Sequence, residues 1–321
     1  MADKTEAIRR MERAGLPIPA TLRVCADNLS ALDAFCDVHP DVSHWYLRYD
    51  ETKVVGAFRV VATENLRRVV TTALNACPDL AFIVHERVTP MISGVTAVTT
   101  DALFIEYITG GELFGLLRAA VSPSRVLLTR AGITLCQELN EEEFSFRWQG
   151  ERLVLDQSEK HRTRMFPEAL KGRMAEAVRG LPEAAVLEWT QTTKDDLVFV
   201  DHRPMREDFL AGLPIMWKGF ETGAFRTLDR TIGGPLLTAD DAGKRGVYMV
   251  DRPRFPYVHS LLPHATALVA ECGPLLAHFC VYAGERGIPC LISRRWREIV
   301  ADESRKARVT ARRCPASLSR L

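Results

Sequence analysis

Between Gly246 and Ile292 short apolar runs alternate with helical stretches, and this order constrains the fold more than any other feature of the chain. Gly246 to Val250 reads as a strand, 256–262 as a helix, Ala265 to Ala270 as a strand, the segment from His278 as a second helix, and 289–292 as a last strand. Apolar runs this short, interleaved with helices, bury their faces in an α/β arrangement. The second helix follows a glycine turn at Gly273, so the alternation seats one histidine at a helix start.

That position suits a nucleophile. An imidazole is substantially neutral near pH 7 and attacks electrophilic phosphorus, giving a phosphoramidate that hands its phosphoryl group on. Unpaired N–H groups and the helix dipole stabilise oxygens held there, and Gly273 lets the backbone approach closely. The same residue also reads as an ordinary buried or capping histidine. A metal site with Cys272, Cys280 and Cys290 is a third reading, but those cysteines lack the CxxC spacing of zinc sites.

After His278 the chain carries Ala283, Glu285, Gly287, Ile288 and Pro289; before it come Cys272-Gly273 and Ala277. This resembles the phosphohistidine loop of phosphoenolpyruvate-utilising enzymes, roughly GGxxSHxAIVARExGIPxV. Cys272-Gly273 stands for the Gly pair and Ala277 for the usual Ser or Thr, with one extra residue in the turn.

With 321 residues, 47% of them hydrophobic, the chain is long enough for two modest domains. Lys plus Arg total 42 and Asp plus Glu 41, a net charge of +1 that gives no general attraction to nucleic acid or to an anionic membrane. No apolar run is long enough to span a bilayer and the start has no signal-peptide shape, so a cytoplasmic location is expected. The eight cysteines are scattered and fit reduced thiols better than a disulfide framework.

Upstream, residues 3–14 read as a short helix stopped by Gly15 and Pro17. A strand follows at Trp45 to Asp50 and a buried apolar strand within 80–98, bounded by Pro78 and Pro90. Gly110-Gly111 marks a turn, and 168–181 is an amphipathic helix by the recurrence of Leu170, Met174, Val178 and Leu181. Two β-rich runs, 185–190 and 197–204, flank a Lys194-Asp195-Asp196 turn and predict a hairpin.

These segments resemble, in order, the nucleotide-binding domain of pyruvate phosphate dikinase, phosphoenolpyruvate synthase and rifampin phosphotransferase. The opening resembles GGKxxNLxxLxxAGLPVPPGF, which places Lys4 at the family's phosphate-binding lysine. Arg48 falls at the Arg of VRSS, although the following loop from Glu51 is much shorter than the family's. Residues 80–98 resemble the hinge strand, which implies adenine contacts from Glu86 and Val88. The hairpin resembles DIEWxxxxGxLxxLQxRP: Glu188 matches the acidic metal ligand, Asp201 stands where the family usually has Gln, and Arg203-Pro204 closes the motif. Magnesium takes one or two carboxylates plus nucleotide phosphates, so Glu188 and Asp201 are the implied pair.

The resemblance therefore implies an α/β (α+β) protein. A shortened ATP-grasp domain over 1–205 is joined by a linker, 206–223, to a small swivelling phosphohistidine domain over 224–321. It implies a dikinase-type phosphotransferase: His278 takes a phosphoryl group from Mg-ATP with release of AMP and phosphate. Lys4, Arg48 and Arg203 would neutralise phosphate oxygens, while Gly273 and Arg252 would contact the phosphoryl group near His278. The acceptor is a small molecule or a separate protein, with no nucleic acid or membrane partner. Two alternatives stand beside this reading, a catalytically degenerate nucleotide-binding regulator and an ATP-grasp ligase acting through an acyl phosphate.

Overall fold

The computed structural model describes residues 4–50, 58–140, 145–156, 165–181, 184–208, 210, 230–254, 256–292 and 306–311. The short loop after Glu51 and nearly all of the expected linker lie outside these residues.

The expected first helix is α1, Lys4–Arg13, and Gly15 ends it at φ 68°, a left-handed conformation that glycine adopts without a Cβ penalty. One helical turn apart, Ala7 and Met11 are its buried side chains. Next come β1 (Thr21–Val24), α2 (Ala31–Asp37), β2 (His44–Tyr49), β3 (Phe58–Ala62), α3 (Thr63–Ala76) and β4 (Phe82–Glu86). The strands form an antiparallel sheet of order β1-β4-β2-β3. On α3, Leu66, Val70 and Leu74 recur every fourth residue and pack on Trp45, Val61, Phe82 and Val84.

The apolar stretch 80–98 divides into two strands. Pro90 has no N–H to give a ladder, so it opens β5 (Pro90–Val98), which leaves the first sheet for the second. The second sheet continues through β6 (Ala102–Thr109), α4 (Leu113–Leu117), β7 (Ser124–Thr129) and β8 (Thr134–Glu138). A two-stranded ribbon, β9 (Ser145–Gln149) with β10 (Arg152–Asp156), and the helix α5 (Glu168–Ala177) then lead to β11 (Ala185–Thr192) and β12 (Leu197–Pro204). The last two form the expected hairpin, turning at Asp195, whose φ is 71°. The six strands run in the order β12-β11-β5-β6-β7-β8, antiparallel throughout.

Both faces of this sheet are buried. Leu103, Ile105, Tyr107, Val126 and Trp189 pack on one side against Met11 of α1 and Leu170 and Met174 of α5. Val95, Ala97, Phe104 and Val186 pack on the other, against Leu113 and Leu116 of α4 and against Leu275 and Leu276.

The alternation read near the C-terminus is present as β13 (Arg230–Leu237), β14 (Gly246–Val250), α6 (Tyr257–Ser260), β15 (Ala265–Ala270), α7 (His278–Glu285) and β16 (Cys290–Ile292). Strands β13 to β16 are parallel neighbours, and their helical crossovers make this the α/β part of a mixed structure. A further strand, β17 (Lys306–Ala311), pairs antiparallel with β13 at the edge. Sequence reading finds only basic, pattern-poor chain there, because an edge strand carries its charges in alternation with small residues such as Ala307. Among the described residues no helix is long and apolar enough to cross a membrane.

Candidate active site

One row of side chains crosses the six-stranded sheet. Asp201 on β12 is registered with Glu188 on β11, then Val95 on β5, Glu106 on β6, Arg125 on β7 and Glu138 on β8. Directly opposed residues share a face, so five charged groups stand in line on the side that receives the C-terminal unit. Glu188, Glu106 and Asp201 are each at most 6% exposed.

His278 meets this row. Its Nε2 is 3.4 Å from Glu188 Oε1, the long end of a hydrogen bond, with the imidazole side chain 23% exposed. At the sheet edge the Lys4 ammonium from the first turn of α1 pairs with Asp201. Arg203 places its guanidinium 4.9 Å from the centre of the Tyr282 ring, one turn along α7 from His278, and 3.8 Å from Glu285 Oε1. The sequence-predicted Lys4, Glu188, Asp201, Arg203 and His278 are therefore brought together.

The electrostatics follow from this crowding. Burial alone raises the Asp201 carboxyl, but Lys4, Arg203 and Arg48 overcome it and hold the group well below the usual carboxylate range. Burial and Asp201 likewise raise Glu188, and contact with His278 together with the field of Lys4 brings it below its ordinary value. Burial lowers Arg203 while Asp201 and Tyr282 raise it, so it stays a cation. Two ionised carboxylates with cations behind them suit a hard divalent ion that keeps part of its shell for water and phosphate oxygens. Among the described residues no group of three or more His, Cys, Asp or Glu could hold a metal by protein ligands alone. The donor set therefore fits magnesium carried with a nucleotide, held by Glu188 and Asp201, and not a self-sufficient metal centre.

The remaining sequence-predicted residues lie elsewhere. Arg48 lines a small cavity of about 20 Å³ with Lys4, His85 and Asp201, beside the cluster. Glu86 and Val88 line a different and larger cavity, about 1110 Å³, between the 14–20 loop and the β11–β12 turn, and none of the clustered residues lines it. The Glu86 N–H is already given to the Ala20 carbonyl at 2.8 Å. Arg252 directs Nη1 to Ala120 O and Ser122 Oγ, each at 3.4 Å. Gly273 has φ 118°, and a Cβ there would come 2.8 Å from Pro253 Cδ, so only glycine fits the turn. Its carbonyl accepts from Arg125 Nη2 at 2.7 Å. Among the described residues the seven cysteines are free thiols, and Cys272 donates to the Asp251 carbonyl rather than joining His278.

Sequence reasoning missed two groups. One is Glu106 with Arg125, whose only signal was a charge inside each of two otherwise apolar strands. The other is a cluster where Tyr46 stacks on His85 at 5.0 Å and donates to Glu112 Oε2 at 2.9 Å, with Trp148 edge-on. Burial raises Glu112 to about 7, and the Tyr46 hydroxyl and Arg87 only partly offset it. Burial and the Arg48 charge push His85 well below its ordinary value, so its ring is neutral.

No protein-family model matches the chain, and no curated protein matches it. Solved structures similar to it include the D-Ala:D-Ser ligase VanG of Enterococcus faecalis, at 15% identity and TM-score 0.36, covering 63% of this chain and 52% of that one. The D-alanyl-alanine synthetase A of Vibrio cholerae is 10% identical at TM-score 0.38, covering 63% and 54%. The ATP-grasp ligase PsnB, solved with its minimal precursor, Mg and ADP, is 14% identical at TM-score 0.34, covering 63% and 49%. The chain spans about half the length of these proteins. VanG and PsnB are ligases and the Vibrio protein a synthetase, and the resemblance to phosphoenolpyruvate-utilising enzymes rests on the motifs quoted above.

Proposed function

We propose that the protein is an ATP-dependent phosphotransferase in which His278 receives a phosphoryl group and passes it to an acceptor. The observation that supports this is the delivery of His278, from the parallel-sheet unit, to Glu188 beside Asp201, Lys4 and Arg203. There the imidazole faces a buried carboxylate of the charged row on one side and the Tyr282 ring, 6.1 Å between centroids, on another.

In this reading Glu188 and Asp201 hold magnesium, which when bound neutralises charge on the nucleotide phosphates. Lys4, Arg48 and Arg203 supply cationic donors to phosphate oxygens. In the resting contact His278 Nε2 donates its proton to Glu188. In the tautomer protonated on Nδ1 the Nε2 lone pair attacks the β-phosphorus: the N–P bond forms as the P–O bond to the α-phosphoryl group breaks, its electron pair leaving with AMP, and water then takes the γ-phosphoryl group off as phosphate. Transfer to the acceptor reverses the polarity, with the acceptor's lone pair displacing the imidazole. The nucleotide unit is residues 1–205 and the histidine unit 224–321, and the acceptor is a small molecule or a separate protein met in the cytoplasm.

A second reading is the ATP-grasp ligase, the class named for PsnB. There the phosphoryl group goes to a substrate carboxylate, the nucleotide leaves as ADP, and His278 carries nothing.

Incubation with magnesium and ATP labelled separately at the β and γ positions tests both. Acid-labile label from the β position on the protein, with AMP, absent in His278→Ala, is the expected result. Release of ADP with a hydroxylamine-trappable acyl phosphate and no label on His278 would replace it with the ligase. Nucleotide binding without turnover would leave the regulatory alternative.

A further inference from the structure

We propose that Glu106 and Arg125 are positioning residues, a buried latch that grips the backbone of the turn before His278 and so sets where the imidazole meets Glu188. Glu106, at the centre of β6, is 0% exposed, and its two oxygens accept the Leu275 N–H at 2.9 Å and the Leu276 N–H at 2.7 Å. Arg125, its neighbour on β7, donates from Nε to Glu106 at 2.8 Å, from Nη1 to Glu138 at 3.1 Å and from Nη2 to the Gly273 carbonyl at 2.7 Å. The turn is thus held at its first carbonyl and at its last two amides.

Three features make this a fixing device rather than an incidental ion pair. Each contact is to main chain, so it locates the backbone and leaves the Leu275 and Leu276 side chains to enter the apolar core. Arg125 is the only cation of the charged row and is satisfied on three sides, by Glu106, Glu138 and Gly273, the kind of geometry in which a buried pair is well compensated. Two successive N–H groups converging on one carboxylate form an anion seat. Here the anion is the protein's own, so phosphoryl oxygens on His278 do not draw on those amides. Only Ala277 lies between the gripped Leu276 and His278, so displacement of the turn displaces the ring.

The latch itself is independent of what His278 does; its consequence for phosphoryl loading rests on the function proposed above. The test is hydrogen exchange of the full chain, wild type against Glu106→Gln, following a peptide over 273–280 with one over 246–250 as internal reference. Beside it, ATP affinity and label on His278 are measured. The expected result is exchange in the turn faster by about tenfold or more, with the reference unchanged. Affinity for ATP is retained while label on His278 falls by a similar factor, a split that general loss of structure would not give. Unchanged protection of the turn overturns the latch whatever the labelling shows. A wild type that takes no label defeats the phosphoryl-carrier reading, and the exchange comparison still decides the latch. Should Glu106→Gln alone fail to fold with Arg125 left only Glu138 as a carboxylate partner, Glu106→Gln/Arg125→Met removes both charges and carries the same comparison.

Discussion

His278 Nε2 stands 3.4 Å from Glu188 Oε1, joining the first turn of a helix over the parallel sheet to the middle of an antiparallel hairpin. Removing the carboxylate's charge while keeping its shape tests what that contact does. Glu188→Gln should weaken the magnesium dependence of nucleotide turnover by about tenfold or more, because the site then offers a single carboxylate. Magnesium titrations of the variant and the wild type, at saturating nucleotide, measure this; superimposable curves would remove Glu188 from metal binding.

Lys4 and Asp201 make the second relationship that can be perturbed. The Asp201 carboxyl is depressed in the folded protein, so its stabilising contribution is present above its ordinary value of 3.8 and is lost as pH falls through the folded value. Lys4→Ala leaves Asp201 beside Glu188 without its nearest cation, which raises the folded value. The fall of the urea midpoint with acidification below about pH 3.8 should therefore be shallower in the variant, because less separates its folded and unfolded values. Loss of the pair should cost about 3 kcal/mol at neutral pH, at the low end for breaking a buried ion pair because Lys4 is partly exposed.

Glu112 gives the opposite sign. Its folded value is raised from 4.5 to about 7, so the folded state holds a proton that the unfolded chain releases. Stability from this group is complete below about 4.5 and declines as pH rises through about 7. Denaturation midpoints between pH 5 and pH 8 should fall with pH in the wild type, and Glu112→Gln should flatten that slope. An identical slope in both proteins would place the titration elsewhere.

Gly94 lies opposite Trp189, and a Cβ on it would come 2.3 Å from the indole and 2.9 Å from the Glu106 carbonyl. Trp189 cannot retreat easily, since its Nε1 donates to Thr96 Oγ1 at 2.8 Å within the core. Gly94→Ala should cost about 2 to 3 kcal/mol by overpacking, read from urea unfolding. A cost below about 1 kcal/mol would mean the core yields there.

The sequence disclosed the hairpin, the α/β alternation and the histidine because each has local chemistry: β-rich runs around a polar turn, apolar runs of fixed period, a glycine turn before a helix. The pairing of Glu188 with Asp201 was legible for the same reason, the two strands being joined by one short turn. Glu106 and Arg125 were not, because the turn they grip lies 148 to 170 residues away along the chain and nothing local distinguishes a paired buried charge from an oddity. Glu86 and Val88 show the converse. The resemblance marked them by position along a strand, whereas the cavity they line is set by how the 14–20 loop and the β11–β12 turn come together.

The charged row ties chemistry to strand register. Because side chains alternate across a sheet, a single-residue insertion inside β6 would carry Glu106 from the histidine side to the side covered by α1 and α5, whereas the same insertion in the turn before it would move nothing. The tolerance of this protein to insertion should therefore be sharply uneven along its length. Because His278 comes from the other sheet, a chain in which only these six strands have paired holds the charged row but not its contact with the imidazole.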